Sequence, residues 1–175
     1  MEALVASHSC TSRSFIGMPN ITLITLINAP KQRVFDLSRS IDLHQQSLLH
    51  TNEKAVAGKT KGLIEVGETV TWHAIHLFKT RALTVKITQM QPFESFTDEM
   101  LQGDFKSMHH EHLFSNSNNI TTMKDVFSFE APYGILGKIF CSIYLTKYMT
   151  RLLAQRNLTI KEYAETDKWK TIINS

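Results

Sequence analysis

The sequence predicts an α+β fold in which an antiparallel sheet packs against one long C-terminal helix. Two observations lead to this prediction. Five segments between residues 68 and 129 have the composition of strands and are separated by short turns, which is typical of an antiparallel meander. Pro132 and Gly134 then end the last strand, and the apolar stripe that follows is typical of a helix with one buried face.

The segments before the meander predict one strand and two short helices. Residues 21–27 are β-rich, Pro30 suits the first turn of a short helix, and Ser40 can cap a second helix over residues 41–49. Residues 52–62 have the composition of a loop. The strands of the meander are predicted at residues 68–77, 80–90, 96–102, 105–115 and 120–129. Together with the first strand they predict a sheet of about six or seven strands.

The C-terminal helix is predicted to be about thirty residues long, or roughly 45 Å at 1.5 Å per residue. Its apolar stripe, which we expect to pack on the sheet, repeats at steps of four residues. The stripe contains Leu136, Phe140, Tyr144, Tyr148 and Leu152. The outer side is basic, and we expect it to face solvent. Its basic residues are Lys147, Arg151, Arg156 and Lys161.

The composition indicates a single globular domain. The 175 residues are 42% hydrophobic and 20% charged, which suits one compact core. Residues 1–20 lack hydrophobic periodicity, so we predict a disordered extension, with Met18 as an alternative start of translation. The domain is predicted to span residues 21–166, and residues 167–175 are predicted to form a tail.

Charge and cysteine content narrow the possible partners. A net charge of +3 without clustered basic motifs argues against a nucleic-acid partner. The longest apolar stretch, residues 131–149, is interrupted by Lys138 and Lys147, so no transmembrane segment is predicted. Cys10 and Cys141 do not form a disulfide framework, which favours a reducing compartment and a cytoplasmic location.

The segment at residues 96–114, FTDEMLQGDFKSMHHEHLF, contains the strongest functional candidates. Because successive side chains of a strand face opposite ways, Met108, His110, His112 and Phe114 share one face. That face is apolar except for the two imidazoles. An unpaired buried polar group costs about 1 to 3 kcal/mol, so the two imidazoles need partners or a ligand. The segment therefore predicts a pocket.

The order of elements and three segments of the sequence resemble the helix-grip superfamily. This superfamily includes START lipid-transfer domains, birch-pollen-allergen-like proteins, polyketide cyclases and coenzyme Q-binding proteins. The resemblance is greater to the bacterial branch described as ligand-binding SRPBCC-domain proteins, and it covers residues 21–165. The segments are INAPKQRVFDLSRSIDLH at residues 27–44, GLIEVGETVTWHAIHLF at residues 62–78, and the run at residues 96–114.

The chain departs from the family pattern at a strand end and in the candidate segment. The family pattern has a tryptophan followed a few residues later by His-Phe-Gly. Trp72 and His76 match it, but Leu77 and Phe78 replace the last two residues. Met108 stands where the family often has an aromatic residue.

The resemblance implies a curved sheet wrapped around the long helix, with an apolar cavity between them. It therefore implies a small, largely hydrophobic ligand that is lipid-like or polyketide-like. The polar positions that match the family pattern would orient this ligand in the cavity. They are His44, Glu53, His76, Asp98, Glu99, His110 and His112.

Each candidate also has a structural interpretation. His76 alone is more typical of a core histidine bonded to a neighbour, and His44 is expected behind the second helix. His110 and His112 can form a structural network with Asp98 or Asp125. On the opposite face of the strand, His109 and Glu111 are expected to face solvent.

Three classes of function remain open. Binding or carriage of the hydrophobic ligand is favoured over a cyclase or dehydratase in which His110 and Asp98 exchange protons. The third class is a regulatory protein that uses the basic helix face. A His-X-His pair can also chelate zinc or iron, but two ligands do not make a site, and a third would have to come from His76, Glu53 or Asp98. The sequence therefore predicts no metal and no cofactor.

Overall fold

The computed structural model describes residues 4–5, 20–130 and 144–173. Residues 131–143, which contain the predicted start of the long helix, lie outside the described part of the chain. The same holds for Met18 and both cysteines. Of the predicted N-terminal extension, residues 4–5 and 20 are described: Leu4–Val5 forms a two-residue strand, and Asn20 begins the next strand.

Eight strands form one antiparallel sheet in the described part of the chain. They are β1 Leu4–Val5, β2 Asn20–Ile27, β3 Lys54–Gly58, β4 Thr69–His76, β5 Lys79–Gln91, β6 Ser95–Gln102, β7 Ser107–Ser117 and β8 Ile120–Glu130. Strands β3 to β8 are neighbours in chain order, which confirms the predicted meander. Strand β2 pairs with β8, and β1 pairs with β2, so the N-terminal strands complete the sheet beside its last strand.

Strand β3 corrects one expectation, because its residues were predicted as a loop. Ala55 pairs with Trp72 and Gly58 with Val70, with a register shift between them. A Cβ atom on Gly58 would lie 2.2 Å from the carbonyl oxygen of Thr69, and the φ angle of Gly58 is +71°. The residues of this edge strand have a low propensity for strands, so it is the pairing with β4 that determines their extended conformation.

Two short helices follow β2, as predicted. They are α1, Lys31–Ser38, and α2, Ile41–Ser47. The Ser40 hydroxyl accepts a hydrogen bond from the backbone N–H of Leu43 at 3.2 Å, which confirms it as the cap of α2. A 3₁₀ turn at Leu49–Thr51 connects α2 to β3.

The long C-terminal helix is α3, Thr146–Glu165, which is about 30 Å long in its described part. Leu152, Leu153 and Ile160 lie on its buried side. Arg156 was predicted on the solvent side, and this expectation is wrong. Its side chain is buried and donates a hydrogen bond to the backbone carbonyl of Ser38 at 2.6 Å.

The core lies between the inner face of the sheet and the helices α1, α2 and α3. Phe35 of α1 is at its centre and makes edge-to-face contacts with Phe93, Phe96 and Phe114, with ring centroids 5.4 to 5.7 Å apart. Such pairs stabilise a core beyond the area they bury. This α+β arrangement of sheet and long helix confirms the predicted helix-grip architecture.

The chain continues beyond α3 in the segment that was predicted to be a tail. A 3₁₀ turn at Asp167–Trp169 leads into α4, Lys170–Ile173. Ile172 is buried in the core, and the Arg33 guanidinium lies 4.5 Å from the centre of a Trp169 ring. The described part of the segment therefore packs on the domain.

None of the helices in the described ranges combines the length and apolar character needed to cross a bilayer.

The β4–β5 turn has an unfavourable backbone. Leu77 and Phe78 have φ angles of +53° and +63°, a region that large side chains rarely adopt. Two-residue hairpins of this kind favour Asn-Gly, and the family pattern has Gly at the second position. The β7–β8 turn has the same geometry, with φ angles of +52° and +63°, and it carries Asn118 and Asn119. The two hairpins thus allow an internal comparison.

Replacing Leu77→Asn together with Phe78→Gly should raise the free energy of unfolding by roughly 1 to 2 kcal/mol, because Asn and Gly adopt the positive φ angles of this turn at a lower cost than Leu and Phe. Urea denaturation followed by circular dichroism measures this change. The reciprocal variant, Asn118→Leu with Asn119→Phe, should be destabilised by a similar amount. A stability loss in the first variant would show that the Leu77 and Phe78 side chains make contacts worth more than the backbone strain.

Candidate functional site

A cavity of about 150 Å³ lies between the inner face of the sheet and the helices. Side chains from α1, α2, α3 and strands β4 to β8 line it. Most of the wall is apolar and buried. Its apolar residues include Val70, Trp72, Val85, Ile87, Phe96, Phe127 and Leu153.

The structure brings most of the predicted site residues to this cavity. Those that line it are His44, Glu53, His76, Asp98, Met108, His110 and His112. Phe114 does not line it, because it packs on Phe35 and Phe96 in the aromatic core beneath α1. The strand alternation placed Phe114 on the correct face but could not place it along the strand relative to the helices.

His110 and His112 share one buried carboxylate. The Nε2 atom of His110 lies 3.1 Å from Asp125 Oδ1, and the Nδ1 atom of His112 lies 2.7 Å from the same oxygen. The contact between His112 Nδ1 and Asp125 Oδ1 lacks hydrogen-bond geometry and is an ion pair when His112 is protonated. Both imidazoles and Asp125 are buried, and the two rings lie 3.8 Å apart at their centroids.

The remaining nitrogen of each ring faces Asp98 on the neighbouring strand. His112 Nε2 lies 3.1 Å from Asp98 Oδ1, and His110 Nδ1 lies 3.8 Å from it. The potential metal-binding atoms of these three side chains all lie within 4.8 Å of one another. They are thus the residues of this wall that can hold a metal ion.

Helix α3 supports Asp125 from the opposite side. Asn157 Nδ2 donates a hydrogen bond to Asp125 Oδ2 at 2.7 Å and contacts Thr25 Oγ1 on β2 at 3.3 Å. Arg156 Nη1 lies 4.0 Å from Asp125 Oδ1. We use the name Asp125 cluster for Asp98, His110, His112, Asp125, Arg156 and Asn157.

The electrostatics of the cluster favour a charged His112. Burial alone would lower the pKa of His112, but its contacts with Asp125 and Asp98 outweigh this effect and raise it. Burial lowers the pKa of His110, and the nearby His112 lowers it further. For Asp125, burial is likewise outweighed by the two imidazoles, which hold its pKa well below the usual value. Burial is outweighed for Asp98 too, chiefly by the hydrogen bond from His112, so its pKa is lowered.

These protonation states leave the cluster close to neutral. Asp98 and Asp125 supply two negative charges, and Arg156 and a protonated His112 supply two positive charges. Buried charges are tolerated when they are paired in this way.

A second polar group lies on the wall formed by α2, β3 and β4. His44 Nε2 lies 2.9 Å from Glu53 Oε1, and the His44 ring stacks on Trp72 with centroids 4.1 Å apart. Burial would raise the pKa of Glu53, but the adjacent His44 lowers it. His76 Nδ1 lies 2.8 Å from the Tyr148 hydroxyl, so the end of β4 contacts α3. Burial lowers the pKa of His76.

The opposite face of β7 has the predicted exposure. His109 is exposed and pairs with Glu99 at 3.1 Å, and Glu111 is partly exposed. His109 and Glu99 lie on the same two strands as the cavity histidines and Asp98, but on the outer face of the sheet.

Asp125 was predicted from the sequence only as a structural partner of the histidine pair, Arg156 was placed on the solvent side, and Asn157 was not predicted at all. Asp125 alternates with Met123 and Phe127 in β8, so the inward side of that strand already contained a carboxylate. Arg156 and Asn157 follow Leu152 and Leu153 by four residues, on the buried side of α3. In both elements the repeat of the secondary structure, two residues in the strand and about 3.6 in the helix, places a polar residue on an otherwise apolar face. Such a residue is a candidate for a buried polar site.

Comparisons with known proteins give structural similarity without sequence similarity. No protein-family profile matches the chain, and no curated protein matches it in sequence. Among solved structures, the Zhui aromatase/cyclase from Streptomyces sp. R1128 superposes with a TM-score of 0.69 at 13% identity, covering 85% of this chain and 94% of that one. A START superfamily protein from Mycobacterium smegmatis gives 0.63 at 9% identity, covering 83% and 97%.

A plant protein has the same architecture. The major latex-like protein 151 of Panax ginseng superposes with a TM-score of 0.60 at 13% identity, covering 85% of this chain and 99% of that one. In each comparison nearly the whole of the other protein is matched, so the similarity extends over a complete domain. The chain therefore shares the helix-grip fold of these proteins.

Proposed function

We propose that the protein binds a small, largely hydrophobic molecule in the cavity between the sheet and α3. The observation that carries this proposal is the composition of the wall. Buried apolar side chains form most of the wall, and the polar groups lie in the Asp125 cluster, in the polar group around His44 and Glu53, and at Ser38, Arg39 and Ser40 where α1 meets α2. Ligand pockets typically combine an apolar surface with a few fixed polar groups in this way.

The cavity volume limits the ligand. About 150 Å³ is the size of an apolar cavity that accepts one benzene molecule, and it is below the roughly 300 Å³ of common ligand pockets. The apolar body of the ligand is therefore close to one aromatic ring or a short acyl chain in size. We propose a ligand of lipid-like or polyketide-like chemistry within this limit, bound in the cytoplasm.

The polar groups would orient the ligand. His44, His76 and Glu53 contact the cavity from one wall, and the Asp125 cluster contacts it from the strand side. Each of these groups already has a protein partner, so a ligand need not satisfy them. The apolar body of the ligand then supplies most of the binding free energy, and the polar groups supply selectivity.

Trp72 provides a direct test, since it lines the cavity and is one of two tryptophans in the chain. In a Trp169→Phe background, toluene or hexanoate should change the fluorescence of Trp72 in a saturable way. Compounds with two or more fused rings should bind at least about tenfold more weakly, because overpacking costs about 1 to 3 kcal/mol. Equal binding of large and small compounds would contradict the size limit.

A cavity-filling variant tests where the ligand binds. Val85 lines the cavity, so Val85→Phe should reduce the affinity for toluene by about 10- to 100-fold by occupying its space. Val126→Phe on the outer face of β8 is the matched control and should bind normally. Circular dichroism checks that both variants are folded. Unchanged affinity in a folded Val85→Phe variant would place the bound molecule elsewhere and overturn the proposal.

The second candidate function is an acid–base enzyme in the same cavity. Two imidazoles and Asp98 line the cavity, and the Zhui aromatase/cyclase shares the fold. Proton transfer requires such groups within hydrogen-bond reach of the substrate. Mass spectrometry of the compound recovered after incubation separates the two candidates, since a carrier returns it unchanged. The regulatory alternative has a smaller basic surface than predicted, because Arg156 is buried while Lys147 and Arg151 are exposed.

The His44–Glu53 pair should make stability pH-dependent. A carboxylate whose pKa is lowered on folding stabilises the protein above its unfolded pKa, and the contribution is lost as the pH falls through the folded pKa. Glu53→Gln should therefore lower the free energy of unfolding by about 1 to 3 kcal/mol at pH 7. The difference in this free energy between the variant and the wild type should become smaller below about pH 4.5, where Glu53 is protonated in the unfolded chain. Urea denaturation at a series of pH values measures it.

Glu99→Gln is the matched control, because Glu99 also pairs with a histidine but is exposed. Its effect should stay within about 0.5 kcal/mol. A constant difference between Glu53→Gln and the wild type across the pH range would mean that packing, and not the charge of Glu53, causes the loss.

A further inference from the structure

We propose that Asp98, His110 and His112 bind one divalent transition-metal ion, Zn²⁺ or Fe²⁺, at the wall of the cavity. Two imidazoles and one carboxylate are a donor set that both metals use in proteins. This inference goes beyond ligand binding, and it revises the expectation from sequence that no metal is bound.

The sheet register brings the third ligand to the histidine pair. Asp98 on β6 is directly opposite His110 on β7, and His112 follows two residues later on the same face. A histidine pair on a strand offers two ligands, and the neighbouring strand adds a carboxylate between them. The sequence could not show this, because it does not define which residues of β6 and β7 are opposite each other.

The distances fit a metal centre after small adjustments. Asp98 Oδ1 lies 3.1 Å from His112 Nε2 and 3.8 Å from His110 Nδ1. Metal–ligand bonds of about 2.0 to 2.2 Å place neighbouring ligand atoms roughly 3 to 3.5 Å apart. The first of these separations is already within that range, and the second exceeds it by a few tenths of an ångström. All three ligand atoms lie within 4.8 Å of one another, so the two imidazoles must also move closer together if their separation is near that limit.

Asp125 lies beside the other ring nitrogen of both imidazoles, which is where a carboxylate orients histidines that bind a metal, and it is hydrogen-bonded to His110. Histidines that bind metals normally donate their other ring N–H to a carboxylate or carbonyl, which fixes the tautomer and the ring plane. Here the other nitrogens, His110 Nε2 and His112 Nδ1, both lie against Asp125 Oδ1. The nitrogens left for a metal are therefore the two that face Asp98.

Asp125 is itself fixed from the helix side. Asn157 donates to its second oxygen at 2.7 Å, and the carboxylate is completely buried. A surface histidine pair that binds metal adventitiously has no such support. The cluster thus has two layers, a ligand set on β6 and β7 and a buried set on β8 and α3 that orients it.

A metal at this position would be open to the cavity. All three ligand residues line the cavity wall, and three protein ligands leave at least one coordination position for water or a bound molecule. Because a histidine binds a metal only in its deprotonated form, the ion would replace the proton of His112 and would then supply the positive charge beside Asp98 and Asp125. The site would therefore hold a polar group of the ligand beside the apolar wall.

The test is metal titration of the full chain after treatment with a chelator, without any organic ligand. Isothermal titration calorimetry with Zn²⁺ should give one equivalent, and Co²⁺ should give visible absorption bands typical of nitrogen and oxygen ligands in a low-symmetry site. Zn²⁺ should also raise the thermal midpoint of the protein, because an ion that binds only the folded state stabilises it.

Two variants identify the ligands and their support. Asp98→Asn keeps the size of the side chain and should weaken Zn²⁺ binding by at least about tenfold and change the Co²⁺ spectrum. Asp125→Asn should weaken binding by about 10- to 100-fold, as is usual for groups that orient metal ligands. Glu99→Gln, on the outer face of the same strands, is the matched control and should bind like the wild type.

The outcomes are distinct. If no saturable binding of Zn²⁺ or Co²⁺ occurs at micromolar metal, the proposal fails. If Glu99→Gln weakens binding as much as Asp98→Asn, the metal binds the outer His109–Glu99 pair and the proposal also fails. Should Asp98→Asn be unfolded by circular dichroism, Asp125→Asn and Glu99→Gln still decide, because weaker binding in the first alone supports the inner site and weaker binding in the second alone overturns it. Toluene binding is measured separately, so failure of the metal site leaves ligand binding intact.

Discussion

The buried carboxylate of Asp125 is the constraint on which much of this structure depends. It is fully buried, and a buried charge that loses its partners costs about 3 to 5 kcal/mol. Its partners come from two different elements: His110 and His112 from β7, and Asn157 from α3. The position of α3 over the sheet is therefore coupled to the pairing of β7 with β8.

The same network extends to the remaining elements around the cavity. Asn157 also contacts Thr25 of β2, and Arg156 donates to the carbonyl of Ser38 at the end of α1. The network pairs its charged groups, although the buried atoms His112 Nδ1 and Asn157 Oδ1 have no hydrogen-bond partner among the described residues. It still favours one arrangement, since few other arrangements keep these charges paired. It holds the helices at a fixed distance from the sheet, and the cavity occupies the space that remains.

The division of the cavity wall into apolar and polar regions has functional consequences. Ring stacking holds His112 against Phe96 at 4.1 Å and His44 against Trp72 at 4.1 Å, so each imidazole is fixed by an aromatic neighbour as well as by a carboxylate. Fixed polar groups discriminate between ligands better than mobile ones, because they lose little conformational entropy on binding. This rigidity suits a selective binding site, and it equally suits a metal centre.

The amino-acid sequence by itself determined which residues face inward. Alternation along β7 placed Met108, His110 and His112 on the buried face, and it placed His109 outside, because side-chain direction follows from local backbone geometry. The meander, the two short helices and the Ser40 cap were likewise predictable from local patterns. The departure from the family pattern at Leu77 and Phe78 also marked a real feature, a turn with positive φ angles.

Only the tertiary structure decided which inward residues meet. The register of β6 against β7 sets Asp98 opposite His110, and the packing of α3 brings Arg156 and Asn157 to Asp125. Phe114 lies on the predicted face but outside the cavity, and β3 forms only because β4 is beside it. These features depend on contacts between residues that are distant in sequence, and the local periodicity of a strand or helix carries no information about them.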